Sequence, residues 1–596
     1  MNKRTRAVLS LFFLTIALFL SASTRAMALP TFSAQKITTH KVAPGETAYS
    51  IAKSYHIALK DLYASNPGTE NGLKTGSVLV IPSSGSVATV NSAAQAEEQF
   101  VYHTIEKKET LYSVSRKYAV SMQNILDANP GLTADSFQEG RTIRIPSDKV
   151  QPPAKIITYE LHKVQKGETA LSISKENNIS LEAFYEANPA ARTGDVKKGN
   201  MVRIPKVSEK KITENEVRLE EETGTKMLYD RSKIKKVNTV KIGVVLPFTD
   251  QNESMGVRLN EYAEGFLLAV EDFKVKGGNA EIYIFNIASG ADTKRLEGLL
   301  ETADFKSMNV IIGGTSQEQI AVLSKYAKRQ KIKYVIPFTS RDEGVASNPY
   351  LFQMNSPQAY LNTAVSGRFV REFADCHVIF VNDKEGEQSS DKTDFTDELQ
   401  KTLQKTKISS ASVNLSSTSA SELTSLMSST KRNIIVPTSG AVSTISKLGV
   451  LLQSSLQLSP RLQISLFGYP EWQTYNSQTQ TVLHGFDTYF YSPFYLDNDQ
   501  YMVKIINQRY QSRFNKSMIN TYPKYGFLGY DVGTYFLNIV KQFGSNFENS
   551  MDRFNPVTLQ SPISFTRLNN WGGFINTGFY FVHYGSVSVE KTAYSK

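Results

Sequence analysis

His40-Lys41-Val42-Ala43-Pro44-Gly45-Glu46-Thr47-Ala48-Tyr49-Ser50-Ile51 is the stretch on which the reading of the first third of the chain turns. It returns as His103-Thr104-Ile105-Glu106-Lys107-Lys108-Glu109-Thr110-Leu111-Tyr112-Ser113-Val114, and again as His162-Lys163-Val164-Gln165-Lys166-Gly167-Glu168-Thr169-Ala170-Leu171-Ser172-Ile173. Each copy runs on to an Asn-Pro step (Asn66-Pro67, Asn129-Pro130, Asn188-Pro189). Each closes on a short apolar strand ending at Ile81-Pro82, Ile145-Pro146 or Ile204-Pro205. A repeat of this period is one supersecondary unit, so it is settled before anything else.

The third copy shows the unit most fully. His162 to Val164 reads as a strand and Lys166-Gly167-Glu168 as a turn. A helix follows from Thr169, with Leu171, Ile173 and Ser174 toward the core. Ser180 caps a second helix, where its hydroxyl accepts a bond from an unpaired backbone N–H. That helix ends at Asn188, because the residue before a proline is pushed out of helical conformation. Met201 to Ile204 pairs back with the first strand, giving a βααβ unit. A domain this short commits nearly all its apolar residues to the core. His40, His103 and His162 recur at equivalent places, which raises the question of metal ligation. They fall in three separate units at a strand position, so a structural role is expected and no metal is assigned.

Residues 40–82, 103–146 and 162–205 resemble the LysM module, which binds the N-acetylglucosamine chains of peptidoglycan and chitin. The resemblance implies a shallow groove between the turn before the first helix and the loop after the second, holding acetamide groups mainly by backbone N–H and C=O. Carried onto this sequence, it implies glycan contacts at Gly45, Glu46, Thr47, Ala48, Tyr49, Asn66 and Pro67 in copy one. In copy two they are Lys108, Glu109, Thr110, Leu111, Tyr112, Asn129 and Pro130. In copy three they are Gly167, Glu168, Thr169, Ala170, Leu171, Asn188 and Pro189. Ala48 and Ala170 stand where the family usually has Leu, Lys108 where it usually has Gly, and Ala58 where a Ser cap is expected. A purely structural role for one of the three copies therefore stays open. Linked weak modules still hold a polymer well, because the second contact is intramolecular.

The 596 residues allow several domains. Lys3, Arg4 and Arg6, the apolar run Val8 to Ala22 and Ala26-Met27-Ala28 read as a signal peptide over residues 1–28, cleaved after Ala28. No second run approaches the roughly 20 apolar residues that span a bilayer, so no transmembrane segment is expected after cleavage. With no cysteine near residue 28, lipid anchoring is not expected either. The net charge of +11 falls to +7 once Lys3, Arg4, Arg6 and Arg25 leave with the leader. A mildly basic exported chain associates weakly with anionic wall polymers or membrane surfaces, and without a dense basic stripe nucleic acid is not expected as a partner. The single Cys376 heads the apolar strand Cys376 to Val381 and reads as a buried, inert thiol.

The chain divides into LysM-like copies at 38–83, 101–147 and 160–206, a charged linker at 207–238 and a large domain at 239–596. Ser83 to Gln99 is a flexible linker composition and Ser147 to Lys155, with Pro152-Pro153, a stiffer one. The copies are thus expected to behave as tethered beads. Val207 to Asn238 reads as solvated, with a helix from about Glu214 to Glu222. From Thr239 onward, apolar strands such as Lys241 to Phe248 alternate with amphipathic helices, as in a doubly wound parallel sheet. A second set of the same alternation starts at Cys376.

Two such halves, with Leu246-Pro247-Phe248 in the first, Gly468-Tyr469-Pro470-Glu471-Trp472 in the second and Gly529-Tyr530-Asp531-Val532 opening a later helix, resemble the type I periplasmic-binding-protein fold. The fold class is therefore multidomain: three βααβ modules, then a two-lobed α/β domain. The resemblance implies a small solute between the lobes, at the carboxyl ends of the strands. Thr315 and Ser316, opening a helix after Gly313-Gly314, present free amides suited to an anion. Thr339 and Ser340 follow the next strand, and Glu471, Trp472 and Tyr530 are placed to close from the other lobe. Ordinary capping and hinge packing explain these residues equally well. Asn382 to Gln388 also lacks the Tyr-Gly turn common in amino-acid binders.

Catalysis finds no support. There is no His-Glu-x-x-His, no Gly-x-Ser-x-Gly elbow and no phosphate-binding loop. Nothing singles out a carboxylate pair among 56 acidic residues. No catalytic residue or cofactor is assigned, and a wall hydrolase is the minor alternative. The expectation is a periplasmic or wall-associated protein whose repeats bind peptidoglycan glycan strands. Its two-lobed domain would then be an interaction scaffold or regulator of wall synthesis, as related domains are in lipoprotein activators of wall synthases. The alternative is a receptor for an amino acid, peptide or muropeptide.

Overall fold

The computed structural model describes residues 38–42, 51, 55, 62, 66, 78–81, 100–149, 155–194, 196–209, 213–248, 254–340, 342–383, 392–586 and 588–594. The expected leader, the Ser83 to Gln99 linker and Pro152-Pro153 lie outside them. The chain separates into two compact units, 1–89 and 90–596. In the first, β1 (Thr38–Lys41) pairs antiparallel with β2 (Val78–Ile81), with Thr38 opposite Ile81. Val42, Ile51, Leu62 and Leu79 are buried there.

In the second unit the second repeat runs β3 (Phe100–Thr104), α1 (Leu111–Tyr118), α2 (Met122–Ala128) and β4 (Thr142–Pro146), with β3 antiparallel to β4. The third runs β5 (Lys155–Lys163), α3 (Ala170–Glu176), α4 (Leu181–Ala187) and β6 (Met201–Glu209). The same local chemistry starts each helix. Thr110 and Ser113, and Thr169 and Ser172, form reciprocal capping boxes, while Ser121 and Ser180 cap the second helices. One expectation is corrected here: Leu171 is 50% exposed, and Ala170 beside it is the buried residue. With α3 starting at Ala170, positions 170, 173 and 174 share the inner face.

The expected solvated linker is also corrected. It holds α5 (Glu214–Arg231), twice the length foreseen, capped by Thr213 and Glu216, with Gly224 and Leu228 buried.

The C-terminal body has two lobes. In the first, β7 (Val240–Leu246), α6 (Ser254–Val275), β8 (Ala280–Asn286), α7 (Lys294–Leu300) and α8 (Ala303–Lys306) lead into β9 (Val310–Gly313). There follow α9 (Gln317–Gln330), β10 (Lys333–Ile336) and β11 (Leu351–Gln353). The second lobe is built from α10 (Gln358–Glu372), β12 (Cys376–Asn382), α11 (Thr393–Thr406), β13 (Ser409–Asn414) and α12 (Ala420–Leu426). It continues through β14 (Arg432–Pro437), α13 (Val442–Leu458), β15 (Ile464–Gly468), α14 (Ser477–Gly485) and β16 (Thr488–Ser492). The chain then returns to the first lobe with α15 (Tyr501–Phe514), α16 (Tyr525–Phe543), β17 (Phe565–Arg567) and β18 (Phe574–Asn576). It ends in the second lobe with β19 (Phe579–Tyr584) and β20 (Val589–Tyr594).

The sheets are ordered β17-β18-β11-β10-β9-β7-β8 and β13-β12-β14-β15-β16-β19-β20. In both, the first five strands of the lobe follow the doubly wound order 2-1-3-4-5. Three crossings between lobes complete the two-lobed architecture of type I periplasmic binding proteins. Val244 and Ile312 pair in register within a fully buried strand core, as parallel strands covered on both faces require. Cys376 is buried in the second lobe, and burial pushes its thiol up to about 11.

Helices α6 and α16 meet at a glycine seam. A Cβ on Gly265 would lie 1.8 Å from the Gly526 carbonyl oxygen, and one on Gly529 would lie 1.9 Å from that of Tyr262. Gly529 therefore sits in the second turn of α16, where the contact needs it, and does not open the helix as expected. Asp531 beside it is fully buried and accepts from the amides of Leu559, Gln560 and Ser561 at 2.7–2.8 Å. Burial outweighs those three donors and raises its carboxyl to about 6.

Candidate glycan grooves and the interlobe residues

The third repeat presents its groove residues most openly. Gly167 turns the chain at φ +92°, a left-handed conformation that suits glycine. Glu168 then folds back to accept from the Gln165 amide at 2.6 Å and pairs with His162 at 2.8 Å. That amide and His162 hold the Glu168 carboxyl below its ordinary range. The second repeat repeats the device. Glu109 accepts from the Glu106 amide at 2.8 Å and meets His103 Nε2 at 2.6 Å, while His103 Nδ1 faces the Tyr118 hydroxyl at 3.1 Å. Burial works to raise the Glu109 carboxyl, but the Glu106 amide, His103 and Lys117 together lower it. In the first unit His40 Nδ1 likewise faces Tyr55 at 3.1 Å. In the second and third repeats the histidine thus staples strand to turn.

The Asn of each Asn-Pro step is spent internally. Asn129 donates to the Ile125 and Arg144 carbonyls at 2.7 and 2.6 Å and accepts from the Arg144 amide at 2.8 Å. Asn188 does the same with Phe184 and Arg203. In both repeats the side chain clamps the end of the second helix to the closing strand, leaving only backbone to face a ligand. In copy one Asn66 donates to the Leu62 carbonyl at 2.7 Å, while Gly45 to Tyr49 and Pro67 lie outside the described residues.

The two fully described grooves differ in what lies in them. Among the described residues, the apolar cluster of the third repeat contains only its own, from Val164 to Ile204. That of the second repeat, with Ile105, Leu111 and Leu132, also contains Leu228 of α5. Gly224 lies against Leu111, Tyr112 and Met122, and Thr110 Oγ1 is 3.4 Å from Glu221. Arg231 Nη1 donates to the Leu126, Asn129 and Leu132 carbonyls at 3.0–3.2 Å. From the other side the Gly131 amide donates to Asn570 O at 2.7 Å, Asn570 Nδ2 donates to Thr142 O at 2.9 Å, and Trp571 meets Tyr102 edge-on. The second repeat is therefore packed into the C-terminal body, which corrects the expectation of three independent beads. At the turn, Lys108 takes φ +67° where copy three has its glycine.

The interlobe candidates are placed separately. Thr315 and Ser316 stand at the end of β9, and Ser316 caps α9. Their amides and the Thr315 hydroxyl all point at Oε1 of the buried Gln319 (2.9–3.4 Å), whose Nε2 donates to Ala288 O and Gly290 O. The Gly314 amide is bonded to Val245 O at 2.9 Å. Those N–H groups are thus satisfied from within. Sequence reading missed Gln319 although Ser316-x-x-Gln319 is a capping-box spacing. Thr339 and Ser340 lie half-buried after β10. Glu471 pairs with Lys392 at 2.8 Å and Trp472 is buried in the second lobe against Gly468. Tyr530 belongs to the first lobe, not the other one, and donates to Asp272 at 2.7 Å. Among the described residues no group of His, Cys, Asp and Glu is arranged to hold a metal, and no helix is long and apolar enough to cross a membrane.

The LysM domain family model matches residues 40–82, 103–146 and 162–205. The three repeats are LysM domains. Longer segments also match curated relatives. The probable autolysin SsaALP of Staphylococcus aureus is 29% identical over 133 residues, 22% of this chain and 49% of that protein. The N-acetylmuramoyl-L-alanine amidase sle1 of Staphylococcus epidermidis is 29% identical over 123 residues, 21% of this chain and 36% of that one. The chain thus spans half or less of the relatives it matches. Among solved structures, the chain is similar to a substrate-binding protein from Desulfitobacterium hafniense in complex with Leu (12% identity, 59% of this chain and all of that one, TM-score 0.35). It is also similar to full-length LpoA from Haemophilus influenzae (12% identity, 62% of each chain, TM-score 0.39).

Proposed function

We propose that this chain is a non-catalytic, exported wall-binding protein. Its LysM grooves hold N-acetylglucosamine-containing glycan of peptidoglycan, and its two-lobed body is an interaction scaffold for an envelope protein. The periplasm or cell wall is the compartment that follows. The names of the relatives, an autolysin and an amidase, support the wall as the target. Gln319 carries the choice of scaffold over solute receptor. Its side chain fills the helix-start amides that an anionic solute would need, and ligand binding to an α/β cleft draws on such free amides.

The test uses the full chain. It sediments with purified peptidoglycan, and soluble N-acetylglucosamine oligomers release it. A thermal-shift screen of amino acids, peptides and muropeptides yields no stabilisation of the two-lobed body. A solute that does stabilise it would replace the scaffold with a receptor.

A further inference from the structure

We infer that the groove of the second LysM repeat is a peptide site occupied by the chain's own helix α5, so that this repeat docks the C-terminal body and takes no glycan. This rests on the LysM reading of glycan binding proposed above and says which copies carry it.

Both walls of the groove are engaged at once. Where the first helix meets the start of the second, Gly224 of α5 sits where a Cβ would be 3.5 Å from Leu111 Cβ, 3.7 Å from the Tyr112 amide and 2.9 Å from Met122 Sδ. On the side of the loop after the second helix, Arg231 gathers three carbonyls, those of Leu126, Asn129 and Leu132. Those are backbone acceptors of the kind a glycan acetamide would use. Between the walls, Leu228 is 6% exposed within the apolar cluster of the repeat. A leucine so buried holds the contact by the apolar surface it removes from water.

The sequence is adapted to this contact on both partners. A glycine in the middle of a helix is unfavourable relative to alanine, and at Gly224 it lets the helix approach. A Cβ at Gly131 would lie 2.9 Å from the Arg567 side chain and the Asn570 carbonyl. The equivalent residue of copy three is Ala190, which is exposed. Arg144, stacked on Phe100 and Trp571, completes the seam. Among the described residues, nothing from outside the third repeat enters its apolar cluster.

Hydrogen–deuterium exchange on the full chain, with and without an N-acetylglucosamine hexamer, tests the assignment. Without the sugar, amides of 214–231 and 129–132 are protected, and Leu228→Asp accelerates exchange across 214–231 by about 30-fold, as uncovering one buried leucine should. Gly131→Val, set against Arg567 and Asn570, loosens the other side of the repeat and accelerates exchange at 129–132 without altering α5. Unprotected 214–231 in the parent chain would overturn the inference. With the sugar, new protection falls on 166–171 and 188–191 and not on 108–112. Sugar-dependent protection at 108–112 in the parent chain would also overturn it. Protection at no copy would defeat the glycan reading instead, and the sugar-free comparison would still decide the occupancy of the groove.

Discussion

Glu109 and Glu168 each gather a turn amide and a histidine at a position that a sequence motif alone presents as a sugar contact. Their carboxyls are held below the ordinary value of 4.5, so their contribution to stability is fully present above that value. It is lost as pH falls through the lower folded-state value. The second and third repeats should therefore loosen on acidification below about pH 4.5, seen as faster amide exchange in their turns. Glu109→Gln should bring the same loosening to neutral pH in the second repeat, at about 1–3 kcal/mol. Lys108→Gly acts in the opposite direction. It relieves a left-handed backbone that costs an L-residue roughly 1–2 kcal/mol, and a rise in the unfolding midpoint is the check. A melting point unchanged by both substitutions would mean that the turn is not held as described.

At the scale of the element, α9 and the first half of α5 were legible as helices, but not what they touch. Thr213 and Glu216, and Ser316 and Gln319, are visible capping boxes, and the apolar spacing of α9 announces its buried face. What α5 covers was not legible, because its apolar positions are few and its one buried leucine lies among charges. Whether a charged helix is solvated depends on a partner more than 100 residues away in the chain. Two substitutions separate these cases. In a solvated helix Gly224→Leu would stabilise by close to 1 kcal/mol. Packed against Met122 it should instead destabilise by about 1–3 kcal/mol, measured by chemical unfolding of the full chain. Gln319→Ala should cost about 2–3 kcal/mol by stranding the Thr315 and Ser316 amides and the Ala288 and Gly290 carbonyls. A neutral outcome there would mean that water or a solute satisfies them.

For the whole molecule, regular βα alternation was enough to foresee two doubly wound lobes, since buried parallel strands write themselves as apolar runs. The lobe to which α16 belongs was not foreseeable, which is why Tyr530 was assigned to the wrong side of the cleft. Chain order says nothing of the return crossing after β16. The glycan sites follow the same division. The turn and the Asn-Pro step are legible by repetition, whereas the use of the Asn side chain as an internal clamp emerges only from geometry. The proposed wall affinity is the property that would sum over copies. Gly167→Val, forced into φ +92°, should lower the retention of the full chain on insoluble peptidoglycan by about a hundredfold if linked copies act together. Retention equal to that of the parent chain would remove the third repeat from the binding function.

The third repeat is threaded as an excursion: the chain leaves the second repeat after β4, builds β5 through β6, and comes back as α5 onto the second repeat. Residues 155 and 209 are paired neighbours at the base of that excursion. Were a glycan anchored to the wall to pull on the third repeat, tension would be shared by β5 and β6, antiparallel strands loaded side by side from the same end. Neither strand is dragged past the other, so the ladder between β5 and β6 carries little shear. The load arrives instead at β4 and at the start of α5, the two elements joined by the packing of Gly224, Leu228 and Arg231 on the second repeat. That packing is thus where a wall under turgor would strain this molecule first.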